Sequence, residues 1–148
     1  MAPLITLVAG SIVARIVGWL GVHYVDGWIK AIAVGLAAMF VLTAVAHFVA
    51  PLRGDLIAIV PPQLPARGLL VTITGVLEFL GAVGLLLPVT RTPAAVCLLL
   101  LMLGMFPANV YAARMPDPPK SMTTQLPLRT AEEIVYLAAA IVVAIGSS

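Results

Sequence analysis

Five stretches of this chain, residues 4–22, 31–50, 69–88, 94–113 and 131–146, are long apolar runs of the kind that lipid, and not water, can surround. A hydrocarbon layer of roughly 30 Å takes about 20 apolar residues of α-helix at 1.5 Å each. The second and fourth runs contain no Asp, Glu, Lys or Arg, the first is interrupted by Arg15 alone and the third by Glu78 alone. The fifth is shorter and is expected to use Glu132 and Glu133 as an interfacial first turn. The expectation is an all-α membrane protein: a bundle of four core transmembrane helices plus an additional N-terminal transmembrane helix, in one domain spanning residues 1–148.

Composition removes the alternatives. Only 9% of residues are charged against 62% hydrophobic, whereas a water-soluble chain carries roughly 25% charged residues. The single cysteine, Cys97, rules out an intrachain disulfide, a CxxC pair and a thiolate zinc site. A net charge of +2 spread along the chain offers no basic cluster to follow nucleic-acid phosphates. The first run is not expected to be a cleaved signal peptide, because no basic segment precedes it and no small-x-small cleavage site follows.

Pro and Gly punctuate the connections. Between the second and third runs, Leu56, Ile57, Ile59 and Val60 precede Pro61 and Pro62 and are expected to lie along the membrane interface. Residues 114–130, with Pro116, Pro118, Pro119 and Pro127, are expected to form an extended polar loop. With five spans, Arg53, Arg67, Arg114, Lys120 and Arg129 fall on one side and Lys30 and Arg91 on the other. The positive-inside rule then puts the 51–68 and 114–130 connections in the cytoplasm and makes those arginines, with Arg91, simple anchors. Trp19, Tyr24, Trp28, Tyr111 and Tyr136 are expected to form the interfacial aromatic belt.

Ionisable groups inside the spans are the candidates for chemistry, because each is costly unless it faces the bundle interior. Arg15 and Glu78 fall at similar depths, roughly 16 and 14 Å from the same face. Each lies on a small-residue stripe: Gly10, Ala14 and Gly18 beside Arg15, and Thr74, Gly75, Gly81 and Ala82 beside Glu78. The first and third spans are therefore expected to pack together with an Arg15–Glu78 ion pair between them. Glu78 then has two readings, as interhelical glue or as a carboxylate lining a pocket for the polar head of a lipophilic ligand. His47 continues a stripe of Gly35, Met39 and Thr43, and Asn109 shares a face with Met102, Met105 and Phe106. Glu78, His47 and Asn109 are the candidate ligand-binding residues. No catalytic residue and no metal site is expected, since neither ligand spacing nor a nucleophile with its base is present. A bis-histidyl haem is disfavoured because His23 falls at the opposite end from His47.

The segments Met39-Phe40, Ala46-His47-Phe48, Ile59-Val60-Pro61-Pro62-Gln63-Leu64-Pro65, Thr74-Gly75-Val76-Leu77-Glu78, Leu85-Leu86-Leu87-Pro88 and Phe106-Pro107-Ala108-Asn109-Val110-Tyr111 together resemble the DoxX-like family of small bacterial membrane proteins. The resemblance covers about half the chain. It implies a four-helix membrane bundle in the bacterial cytoplasmic membrane and puts His47, Glu78 and Asn109 at motif positions. It also implies a non-catalytic subunit or assembly factor of a membrane complex, with a membrane-protein partner or a homo-oligomer, linked to quinone oxidoreductases. The alternative from the residues is a protein that binds a quinone or another lipophilic small molecule around Glu78. No other cofactor is expected, and membrane lipids are the surrounding partners.

Overall fold

The computed structural model describes residues 1–147, which are helical with no strand among them. Six α-helices follow one another: α1 Ala2–Trp19, α2 Trp28–Ala46, α3 Leu52–Ile59, α4 Arg67–Leu86, α5 Arg91–Arg114 and α6 Leu126–Gly146. Four of them, α1, α2, α4 and α5, are long and apolar enough to cross a membrane. α6 is as long as these but carries Arg129, Glu132 and Glu133 in its first two turns.

Local chemistry sets the ends. α1 closes where Gly21 takes φ +104°; its N–H bonds the Gly18 carbonyl and that of Val22 bonds Val17. This paired closure favours glycine, which has no Cβ to clash in the left-handed region. α2 stops at Ala46, with the His47 amide turning back to Ala44, four residues before the expected end at Ala50. α6 begins at Leu126, five residues earlier than expected. Pro127 lies in its first turn, where the missing N–H costs nothing. Glu132 and Glu133 therefore occupy the second turn and not the first. The segment ahead of Pro61 is helical from Leu52 and buries Ile59.

Ala66 starts α4 with φ 49°, a conformation that costs a residue with a Cβ about 1 kcal/mol. Ala66→Gly is therefore expected to stabilise the protein by up to about 1 kcal/mol, less the extra entropy of glycine in the unfolded chain. A melting temperature in detergent checks it, and a lower value than wild type would sink the argument.

α2, α4, α5 and α6 form the core. Their largest fully buried side chains are Leu36, Leu85, Leu98 and Val143, one from each helix, and all four belong to a single cluster. α1 lies outside this group, along α2. In lipid, helices associate through close van der Waals fit, because the solvent is as apolar as the side chains. Glycines accordingly mark the contacts. A Cβ on Gly10 would stand 3.1 Å from the Gly35 Cα, and one on Gly35 would overlap Ser11 of α1.

The expected pairing of the first and third spans is thereby corrected. The Gly10, Ala14 and Gly18 stripe meets α2 and the His23–Val25 turn, whereas Gly75 meets His47 and Phe48 and Gly81 meets Leu98. A small-residue stripe shows that a helix is closely approached, but not by which partner.

The two ends of the bundle are distinct. One collects the start of α1, α3 and the α5–α6 linker, all of which reach a common cavity. The other collects the α1–α2 turn, the α4–α5 turn and the end of α6. There the Tyr24 hydroxyl donates to the Leu86 carbonyl, the Arg91 Nε donates to the Leu85 carbonyl at 2.9 Å, and Gly146 abuts Ile29.

Candidate functional site

Between α2, α4, α5 and α6 the structure holds a cavity of about 450 Å³. Its apolar wall is built by Met39 and Phe40 from α2 and by Met102 and Met105 from α5. Four helices direct polar groups into it: Thr43 and His47 from α2, Glu78 from α4, Asn109 from α5, and Arg129, Glu132, Glu133 and Tyr136 from α6. Leu52 and Leu56 of α3 and Ser121 and Met122 of the linker border it. These last two segments are tied together by the Ser121 hydroxyl, which donates to the Asp55 carboxylate at 2.6 Å.

Helical spacing explains the convergence. Met39, Thr43 and His47 recur every fourth residue on α2, so they share one face. Met102, Met105 and Asn109 share one face of α5 at three- and four-residue spacing, and so do Glu133, Tyr136, Ala140 and Val143 on α6. Ala140 and Val143 are fully buried, which turns Tyr136 inward one turn and Glu133 two turns before Ala140.

Glu78 and His47 are 4% and 3% exposed. Such burial is costly for groups of this kind unless each hydrogen-bonding atom is matched. His47 is matched: its Nδ1 lies 2.9 Å from the Thr43 carbonyl oxygen, an atom that only accepts, so Nδ1 carries the proton. Glu78 is not. Its Oε2 has no hydrogen-bond partner and stands 3.7 Å from that same Nδ1, too far for a hydrogen bond. The Glu133 Oε1 and the Tyr136 hydroxyl are likewise buried without partners. Arg129, in contrast, has a partner on each of its nitrogens: Nη1 donates to Asn109 Oδ1 at 3.2 Å, Nε to the Thr124 carbonyl at 2.8 Å and Nη2 to the Met122 carbonyl at 2.6 Å. Glu132 pairs with the Met1 ammonium at 3.1 Å.

The three candidate ligand-binding residues, Glu78, His47 and Asn109, thus line one cavity, but the Arg15–Glu78 ion pair does not form. The Arg15 guanidinium lies 4.9 Å from the Trp19 ring centre and 5.8 Å from that of Trp28. These are cation–π contacts, and they replace the carboxylate as its compensation. The two residues stand on α1 and α4, which do not pack closely against each other. Trp19 and Trp28 therefore do more than mark an interface, and Tyr136 leaves the aromatic belt altogether for the cavity.

The arginines read as simple anchors also have specific roles. Arg53 joins the end of α2 to the start of α4, donating to the His47 carbonyl at 2.7 Å, the Gly68 carbonyl at 3.1 Å and Thr72 Oγ1 at 2.9 Å. Arg91 is buried at the far end and lies 5.7 Å from the Tyr24 ring centre. A charge count sees only position along the chain, and these contacts are made across it. Glu133 and Tyr136 were accessible to sequence reasoning, since they begin the stripe that ends in Ala140 and Val143. Among the described residues no three His, Cys, Asp or Glu side chains stand together as a metal-holding group.

Fold and site together define an all-helical bundle with an internal cavity whose walls are apolar and whose polar groups converge from four helices. The family model described as Domain of unknown function (DUF8561) matches residues 36–145, well over half the chain, and the chain belongs to that family. The match runs from within α2 to near the end of α6, so α4, α5, most of α6 and the second half of α2 lie inside it, with Glu78, His47 and Asn109. No curated protein and no solved structure matches the chain.

Proposed function

We propose that this is a multi-pass membrane protein whose four-helix core binds a lipophilic small molecule with a polar head group, in the cavity between α2, α4, α5 and α6. One observation carries the reading: Glu78 is buried at the end of an apolar chamber with an oxygen that nothing in the protein satisfies. A buried polar atom left unmatched costs about 1–3 kcal/mol, and a ligand that matches it recovers that energy on binding. Cavities of roughly 300–1,000 Å³ with mostly apolar walls and a few convergent polar groups are where small ligands bind.

The outer surface supports the membrane setting. Ile5, Val13, Leu69, Leu80, Leu100 and Ile134 are each more than half exposed, on helices with no other element to cover them. In this reading α6 crosses together with α1, α2, α4 and α5, giving five spans. Its three early charges lie at the cavity end, and α3 and the α5–α6 linker face the cytoplasm of a bacterial cell. The likeness to DoxX-like proteins adds support for a bacterial cytoplasmic membrane and for a quinone-linked setting. An accessory-subunit role rests on that likeness alone, whereas the cavity favours a binding protein.

Native mass spectrometry of the protein released from mild detergent tests the proposal. Wild type is expected to retain one amphipathic molecule per chain. Ala46→Trp, which fills the cavity wall with an indole, is expected to lose that molecule while melting at the wild-type temperature. A wild type that emerges empty and takes up no added amphiphile would overturn the reading.

A further inference from the structure

The cavity carries more formal negative than positive charge, and buried carboxylate oxygens within it lack a donor. Three carboxylates line it, Glu78, Glu132 and Glu133, against the Arg129 guanidinium and the Met1 ammonium. Both cations already have oxygen partners. The ammonium is on Glu132, and all three guanidinium nitrogens of Arg129 are on other oxygens, with Asn109 Oδ1 among them. Glu78 and Glu133 each keep a buried oxygen with no donor. The nearest base, His47, directs its Nδ1–H to the Thr43 carbonyl. The uncharged donors at the cavity are the Asn109 amide and the hydroxyls of Tyr136, Thr124, Thr43 and Ser121, the last two already donating to the Phe40 carbonyl and the Asp55 carboxylate.

A ketone or quinone head group brings only acceptors and leaves the Glu78 and Glu133 oxygens unmatched. An ammonium brings up to three N–H donors and the missing positive charge in one compact group. The wall suits such a ligand's remaining part, because Phe40, Met39, Met102 and Met105 supply an aromatic face and adaptable thioethers that fit irregular hydrocarbon. Building on the ligand-binding reading above, we infer that the cavity selects a lipophilic amine in its ammonium form. Its head donates to Glu78 and its hydrocarbon part lies along the Phe40–Met102 wall.

The test compares decylamine, decanol and a quinone bearing a decyl chain, three probes with one tail and different heads. Equilibrium binding to the full-length protein in mild detergent is measured against protein-free micelles. Decylamine is expected to bind about ten- to a hundredfold more tightly than decanol, the range for a hydrogen bond to a charged group, and also more tightly than the quinone. Glu78→Gln, which keeps the shape and removes the charge, is expected to abolish the difference between decylamine and decanol, with decylamine losing the larger share of its affinity. Decanol or the quinone binding as tightly as decylamine would overturn the amine preference and leave the pocket reading standing. Failure of all three to bind wild type would overturn both. The wild-type ratio decides the matter even if Glu78→Gln does not fold.

Discussion

Adding one methyl group at Gly75 is expected to lower stability by about 3 kcal/mol, the upper part of the range for overpacking, and to abolish ligand binding with it. A Cβ there would lie 2.5 Å from the His47 Cβ and 2.9 Å from both the His47 Cγ and the Phe48 Cε2. The first two atoms are too close to the α2 backbone to swing aside, so the end of α2 itself must move. That movement would draw His47 away from Glu78, because the two residues stand on the helices being separated. Gly104→Ala is the control: a Cβ at that position meets nothing within 4 Å, and alanine is the better helix former by about 1 kcal/mol. Thermal melting in detergent with a binding assay on both variants decides it. Equal melting temperatures for the two would refute the claim that α2 and α4 depend on this close approach.

Arg53→Ala is expected to cost about 2–3 kcal/mol, since one guanidinium holds three oxygens and hydrogen bonds to charged groups contribute roughly 1.5–3 kcal/mol each before solvent replaces part of them. The bonds run from the His47 carbonyl at the close of α2 to Gly68 and Thr72 in the first two turns of α4. Their loss would loosen the same two helices at the cavity end. Arg53→Lys separates anchoring from clamping. A lysine keeps the positive charge beside the membrane but lacks the planar fork that reaches several acceptors at once. If Arg53 is only an interfacial anchor, Arg53→Lys melts like wild type; as a clamp, it recovers less than half the loss caused by alanine.

The two predictions concern one junction, and the sequence shows that junction only in part. The His47 stripe and the small residues around Glu78 were legible because helical periodicity is a local property. Gly75 was seen as a place of close approach, yet its partner was assigned to the wrong helix. Arg53 was counted as a charge on a loop, because nothing within the loop indicates that its side chain reaches Thr72. Arg15 shows the same limit from the other side. The need to compensate an arginine within a long apolar helix is evident from its position, but the solution involves Trp28, which only the turn at Gly21 brings to it.

What the chain determined by itself is the set of helices and the inward face of each: apolar run length fixes helix against a layer of given thickness, and a period of 3.6 residues fixes which side chains share a stripe. α6 is the partial exception, since Pro127 allowed the helix to begin a turn earlier than composition suggested. Tertiary structure alone decided which stripe meets which. In an apolar medium every small-residue face offers a similar gain, so pairing is chosen by shape over the whole bundle. The same choice left Glu78 facing a chamber rather than Arg15, and so created an unmatched acceptor where sequence reasoning had expected an ion pair.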